Sequence, residues 1–213
     1  MAAPPKLYGA DYSVYVRIAR MTLLEKGVDH EPVPVDVFAP GGPPAWYGEM
    51  HPFGKIPAFE HGELRLFETS AITRYVDEAF AGPALQPADP AARAVMNQMI
   101  GILDSYAYRT LVWDIYVERV SRPRDGIPSD EARIAAALPV ARTCLDVLSR
   151  LKRDGPWLLG KDISLADLHA APMFAYFLKA PEGRAMLDEF PGLRSWWEAI
   201  SRRGSMRATQ PTE

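Results

Sequence analysis

Ser13 stands where a short apolar run, Lys6-Leu7-Tyr8-Gly9, gives way through Ala10-Asp11-Tyr12 to helical spacing. A hydroxyl there sits at a helix N-terminus, where free backbone N–H groups and the helix dipole favour anions. A thiol brought to the same point loses its proton more easily. Ser13 serves equally well as an ordinary N-cap, and both readings stay open. A second segment is His51-Pro52-Phe53-Gly54-Lys55-Ile56-Pro57-Ala58. A cis Ile56-Pro57 bond would turn the Ile56 backbone outward to pair with an extended peptide; a trans proline opening a strand is the commoner arrangement. A third is Leu66-Phe67-Glu68-Thr69-Ser70-Ala71-Ile72. Helix-start N–H groups with a hydroxyl suit a carboxylate, and a glutamate beside them suits an ammonium. Together they would grip both ends of an α-amino acid, although a capped helix explains the same residues.

Other candidates carry no chemistry. Ser164 and Asp167 form an S-x-x-D capping box, with Ile163 and Leu168 as its staple, and nucleate a core helix. His30, His51, His61 and His169 have no metal-ligand spacing, so no metal site is expected. There is no G-x-S-x-G elbow and no G-x-x-x-x-G-K phosphate loop. The single cysteine, Cys144, lies on an apolar helix face and reads as an inert buried thiol. One cysteine forms neither an internal disulfide nor a C-x-x-C pair.

The elements that would position these residues fall into two groups. Residues 6–80 read β-α-β, loop, β-β-α. A helix spans Val14 to Lys26, and 31–38 is a strand held to a sheet edge by Pro32 and Pro34. Residues 57–60 and 64–67 form a hairpin about His61-Gly62, and a helix runs from Thr69 to Phe80. A Pro/Gly-rich linker follows, and the division is 1–82, linker 83–90 and 91–213. Beyond it helices are expected over 91–121, 129–153 with a kink at Pro139, 164–179 and 191–203, with a frayed polar tail from Ser205.

Composition sets outer bounds. The 213 residues are 48% hydrophobic and carry a net charge of -3, which is globular composition without the basic excess a nucleic-acid partner needs. No apolar run approaches a membrane span, and no signal peptide is visible, so a reduced cytoplasmic setting is expected.

The order and spacing of the motifs say more than any one of them. Lys6-Leu7-Tyr8-Gly9 comes with Ser13 and Arg17, then His51-Pro52-Phe53-Gly54-Lys55-Ile56-Pro57. Leu66 to Ile72 with Tyr75 comes next, then Trp157-Leu158-Leu159-Gly160 before Ser164-Leu165-Ala166-Asp167. Over about residues 6–203 this resembles the cytosolic glutathione transferases, chiefly the serine-type members of the phi-like and related bacterial branches. The resemblance implies an α/β thioredoxin-like first domain with a mixed four-stranded sheet and an all-α second domain. It implies glutathione as co-substrate and a homodimer. By the same resemblance Ser13 donates to the glutathione sulfur, Ile56 with cis-Pro57 holds the cysteinyl part, Lys55 lies beside it, and Glu68 and Thr69 hold the γ-glutamyl end. Thr69 replaces the usual Ser, Lys55 the usual Gln, and His51 the usual Asn. The loop Pro40-Gly41-Gly42-Pro43-Pro44 lacks the His and Lys that hold the glycine carboxylate in phi-like members.

The implied chemistry is thiolate attack on a small hydrophobic electrophile. A thiol of pKa near 8.5 is only about 3% ionised at pH 7, and a two-unit shift makes it mostly thiolate. Tyr12 is the alternative sulfur contact and Tyr15 a weaker third. The electrophile pocket is expected to be aromatic, from Tyr12 and from Tyr106, Tyr108, Trp113 and Tyr116 facing the first domain. Two other functions share these features. One is a glutathione-dependent isomerase or dehalogenase, although Asp11-Tyr12-Ser13 does not match the isomerases' Ser-Ser-Cys run. The other is a non-catalytic binding protein of the same fold. A thiol-disulfide oxidoreductase lacks its cysteine at residues 10–13.

Overall fold

The computed structural model describes residues 3–211. They divide into two compact units. One comprises the residues up to Gln86 together with those from Gly204 onward, and the other is Pro87–Arg203.

The first unit is a four-stranded mixed sheet with helices. The strands are β1 (Lys6–Gly9), β2 (Glu31–Pro34), β3 (Ala58–His61) and β4 (Leu64–Phe67), in the order β2-β1-β3-β4. β1 pairs parallel with β2 and antiparallel with β3, and β3 pairs antiparallel with β4. Helix α1 (Val14–Glu25) crosses between β1 and β2, and α2 (Thr69–Ala79) follows β4. Pro32 and Pro34 do put β2 at the sheet edge, but the strand stops at Pro34 rather than continuing to residue 38. A single 3-10 turn, Ala45–Glu49, lies in the loop between β2 and β3.

The core of this unit joins the strand residues Leu7, Ala58 and Phe59 to Val16, Ala19 and Leu23 of α1 and to Ile72 and Val76 of α2. Each large side chain buried in this way contributes about 1.5–3 kcal/mol. The junction of β1 and α1 is tight: a Cβ on Gly9 would lie 2.3 Å from Val16 Cγ2, so no larger residue fits without displacing the helix. Lys26, beyond the end of α1, is buried and bonds Asp77 Oδ1 (3.1 Å), Asp77 O (2.9 Å) and Pro83 O (3.0 Å). Asp77 also accepts from Leu85 N and Gln86 Nε2, so residues 83–86 of the expected linker are fastened to the first unit.

The second unit is helical. α3 (Pro90–Ile102) runs into a π-wound segment, Leu103–Ser121, and ends in the single turn α4 (Arg122–Arg124). The wider winding brings side chains five apart together. Arg109 Nε reaches Asp114 at 3.0 Å, and the Trp113 indole N–H donates to the Tyr108 hydroxyl. α5 (Glu131–Leu151) and α6 (Leu165–Phe177) run unbroken through Pro139 and Pro172. Ser164 and Asp167 form the expected capping box. Asp167, fully buried, also accepts from Leu158 N and Trp196 Nε1, both at 2.8 Å, which ties α6 to the 157–160 turn and to α8 (Pro191–Ile200). α7 (Pro181–Asp188) has no counterpart in the sequence reading.

The end of the chain departs most from expectation. Residues 205–209 do not fray, and 212–213 lie outside the described residues. Gly204–Ala208 form α9, with Ser205, Met206 and Thr209 buried, and the segment belongs to the first unit, not to the helical second domain.

Candidate functional site

β1 ends at Gly9, and the turn Ala10-Asp11-Tyr12 delivers Ser13 as the N-cap of α1. Ser13 N donates to Ala10 O at 3.1 Å, and Ser13 Oγ accepts from Val16 N at 3.3 Å. The N-cap role is therefore real. It uses the oxygen as acceptor and leaves the hydroxyl proton to donate elsewhere. No acidic residue lies in the first turn of α1, so nothing in that turn competes for an incoming anion.

Tyr12 is oriented otherwise. Its hydroxyl donates to Asp36 Oδ1 at 2.5 Å, and its exposed ring packs on Phe38 with centroids 5.7 Å apart. Partial burial, then the hydrogen bond to Asp36, holds the phenol well above its usual range. The same bond, with one from Phe38 N, lowers the Asp36 carboxyl. Tyr12 thus spends its proton on Asp36, a residue the sequence offered no reason to select. Tyr15 is half-buried within α1.

Ile56-Pro57 is cis, as expected. Ile56 and Pro57 are buried just ahead of β3, and the buried Tyr47 hydroxyl donates to Lys55 O at 2.8 Å, which fixes the backbone one residue upstream. The Lys55 side chain is exposed. His51 is buried, its ring 5.0 Å from that of Phe67, and burial lowers its pKa, so it packs as a neutral aromatic. Its Nδ1 has no hydrogen-bond partner among the described residues.

Glu68 is exposed and adopts φ 70°, ψ 112°, the one non-glycine positive φ among the described residues. It precedes α2 as N-cap, but no side chain caps that helix and its first turn holds no acid. Thr69 is buried and Ser70 half-buried at the same helix start. An uncapped helix N-terminus beside two hydroxyls is a competent carboxylate site.

The aromatic residues of the second unit divide. Tyr106 is 60% exposed, while Tyr108 and Trp113 are half-buried and bonded to each other. Tyr116 is buried with its ring 4.6 Å from that of Tyr176.

Comparison with known proteins gives this arrangement its context. Residues 7–84 match the glutathione S-transferase N-terminal domain family, and residues 131–199 match the C-terminal domain family. A glutathione S-transferase of Hyoscyamus muticus is 33% identical over 193 residues, 90% of either chain. The chain belongs to the glutathione S-transferase family. Glutathione S-transferase F9 of Arabidopsis thaliana is 31% identical over 207 residues, 96% of this chain and 95% of that one. The solved structure of glutathione S-transferase III in its apo form superposes with a TM-score of 0.86 at 30% identity, covering 99% of both chains. A glutathione S-transferase I bound with lactoylglutathione has a TM-score of 0.83 at 26% identity, covering 98% of this chain and 99% of that one. This glutathione transferase shares the fold of these relatives.

A non-glycine residue held at the φ and ψ of Glu68 costs on the order of 1–3 kcal/mol. Glu68→Gly removes that cost and adds about 0.5–1 kcal/mol of unfolded-state entropy. The variant is expected to be more stable by about 1 kcal/mol in denaturant unfolding; a lower midpoint would refute strain at this residue.

Proposed function

We propose that this glutathione transferase ionises the glutathione thiol at the start of α1, with Ser13 as its hydrogen-bond donor, and directs the thiolate at a small apolar electrophile. One observation carries the assignment. The Tyr12 hydroxyl is committed to Asp36 at 2.5 Å, whereas Ser13 Oγ, accepting from Val16 N, keeps its proton for the sulfur. Ser13 and the first-turn amides act on the same atom, and a charge-assisted O–H donor plus a helix dipole suffices to move a thiol pKa by the required amount.

The remaining contacts follow along the extended tripeptide. The Ile56 backbone pairs with the cysteinyl residue. The γ-glutamyl carboxylate takes the uncapped amides of α2 and the Thr69 hydroxyl, and its ammonium takes Glu68. From Glu31 to Glu49 the chain holds three acids and no lysine or arginine. Lys55 is the one Lys or Arg between Lys26 and Arg65, and we assign its ammonium to the glycine carboxylate. The exposed Tyr12 ring contributes apolar contact to the electrophile. The glutathione-dependent isomerase or dehalogenase remains the second reading, since it uses the same thiolate. No helix among the described residues is long and apolar enough to cross a membrane. The enzyme is assigned a cytoplasmic location and a homodimeric state.

Calorimetry with glutathione tests the reading as a whole: a folded protein that takes up no glutathione refutes it. Ser13→Ala should raise the pKa of the bound thiol and cut turnover of a test electrophile at least about tenfold, a loss of about 1.4 kcal/mol of transition-state stabilisation. Tyr12→Phe should change turnover by less. The reverse ranking would make Tyr12 the sulfur contact and Ser13 only a cap. Lys55→Met is expected to weaken glutathione severalfold and leave its glycyl ethyl ester unaffected; equal losses for both ligands would remove Lys55 from the carboxylate. Light scattering at micromolar protein should return twice the chain mass of 23.7 kDa, and a stable monomer would refute the dimer.

A further inference from the structure

α1 presents one face to the sheet and another to the segment Gly204–Thr209, which follows the helical unit in sequence and belongs to the first. Arg17, one turn after Ser13, is 3% exposed. Its guanidinium donates from Nη2 to Met206 O at 3.0 Å and from Nε to Thr209 Oγ1 at 3.3 Å, and Nη2 also meets Met206 Sδ at 3.3 Å. Thr209, fully buried, donates to Ser205 O at 2.8 Å, which closes the segment on itself. Arg20, a further turn along, reaches Ala208 O at 3.5 Å and Asp11 Oδ1 at 2.7 Å. Ser205 Oγ donates to Glu25 Oε1 at the last residue of the helix.

Two of these paths end at the sulfur site. Arg17 N donates its helical hydrogen bond to Ser13 O at 3.0 Å, so fixing Arg17 restrains the residue that caps α1. Arg20 links the returning segment to Asp11, two residues before Ser13 in the delivering turn. A long arginine side chain loses about 2 kcal/mol of rotamer freedom when buried, and bonds to fixed backbone carbonyls offset that loss only if the segment itself is held. Helix α9 is too short to be stable alone, so α1 and the segment order each other.

We propose that Arg17 is a positioning residue for the thiolate site and that Gly204–Thr209 is the clamp through which it acts. Arg17 holds the first turn of α1, and with it the Ser13 hydroxyl and the amides, at a fixed distance from the sulfur. The proposal rests on the assignment of Ser13 above. Catalysis that depends on a donor aimed at one atom is sensitive to this: a 1 Å misplacement can cost about 100-fold in rate.

Thr209→Val keeps the shape of the clamp and removes the hydroxyl that receives Arg17 Nε. It is compared with Arg17→Met and Arg17→Lys in the full chain. In the ligand-free protein, Thr209→Val and Arg17→Met should speed amide hydrogen exchange over residues 14–17. With glutathione bound, both should raise the thiol pKa, read from thiolate absorbance against pH, and lower kcat roughly three- to tenfold with a smaller change in the KM for glutathione. Arg17→Lys should recover part of both effects. A folded Thr209→Val with unchanged exchange, thiol pKa and kcat overturns the proposal, even if its melting temperature falls. Should Arg17→Met fail to fold, Thr209→Val alone decides. Should the parent bind no glutathione, the transferase reading falls, and unchanged exchange over residues 14–17 in Thr209→Val still overturns the clamp.

Discussion

A helix start stabilises an anion only while the helix stays where the anion is. The partial charge at the N-terminus of α1 decays within one turn, so its value to a thiolate depends on how rigidly that turn is held. Much of the first unit can be understood as meeting this demand. Gly9 lets β1 run directly against Val16, the hydrophobic face of α1 packs on Leu7 and Phe59, and Lys26 beyond its far end is locked to Asp77 and Pro83. The polar face is held by the returning segment. The serine at the N-cap is the smallest part of the device and depends on all of the rest.

The second helix start, at α2, solves the opposite problem. Here the protein leaves the amides uncapped and spends conformational energy to do so, with Glu68 held at φ 70°. A glycine would relax the backbone, and an Asn or Ser in an ordinary N-cap conformation would satisfy an amide; either would take away the carboxylate or close the helix start to a ligand. α1 carries a cap that keeps a proton to give, and α2 carries no cap at all. On the proposed assignment, the two ends of one extended ligand meet these two different chemistries.

The strands and long helices were legible because their signals are local. Pro32 and Pro34 placed β2 at an edge, His61-Gly62 marked the hairpin, and Ser164 with Asp167 marked the start of α6. The sulfur and γ-glutamyl candidates were legible because each lies at a strand-to-helix turn visible in the pattern. What stayed hidden depends on partners far off in sequence. Nothing about Ser205, Met206 and Thr209 announces a buried face, since their partners lie nearly 200 positions earlier. Asp36 gave no sign that it would claim the Tyr12 proton. Which of the aromatic residues would be core was hidden for a different reason: the π winding pairs residues five apart, so Tyr108 meets Trp113 while Tyr116 packs against Tyr176.

The return of Gly204–Thr209 also bears on how the molecule is made. Its first unit is discontinuous: the chain leaves it at Gln86 and rejoins it at Gly204. During synthesis at about 5–20 residues per second, the sheet and its two helices emerge on the order of ten seconds before the segment that covers the polar side of α1. For that interval Arg17 has neither Met206 nor Thr209 to bind, and a chain interrupted inside the helical unit never acquires them. The contacts that Arg17 makes with Met206 and Thr209 are therefore coupled to completion of translation.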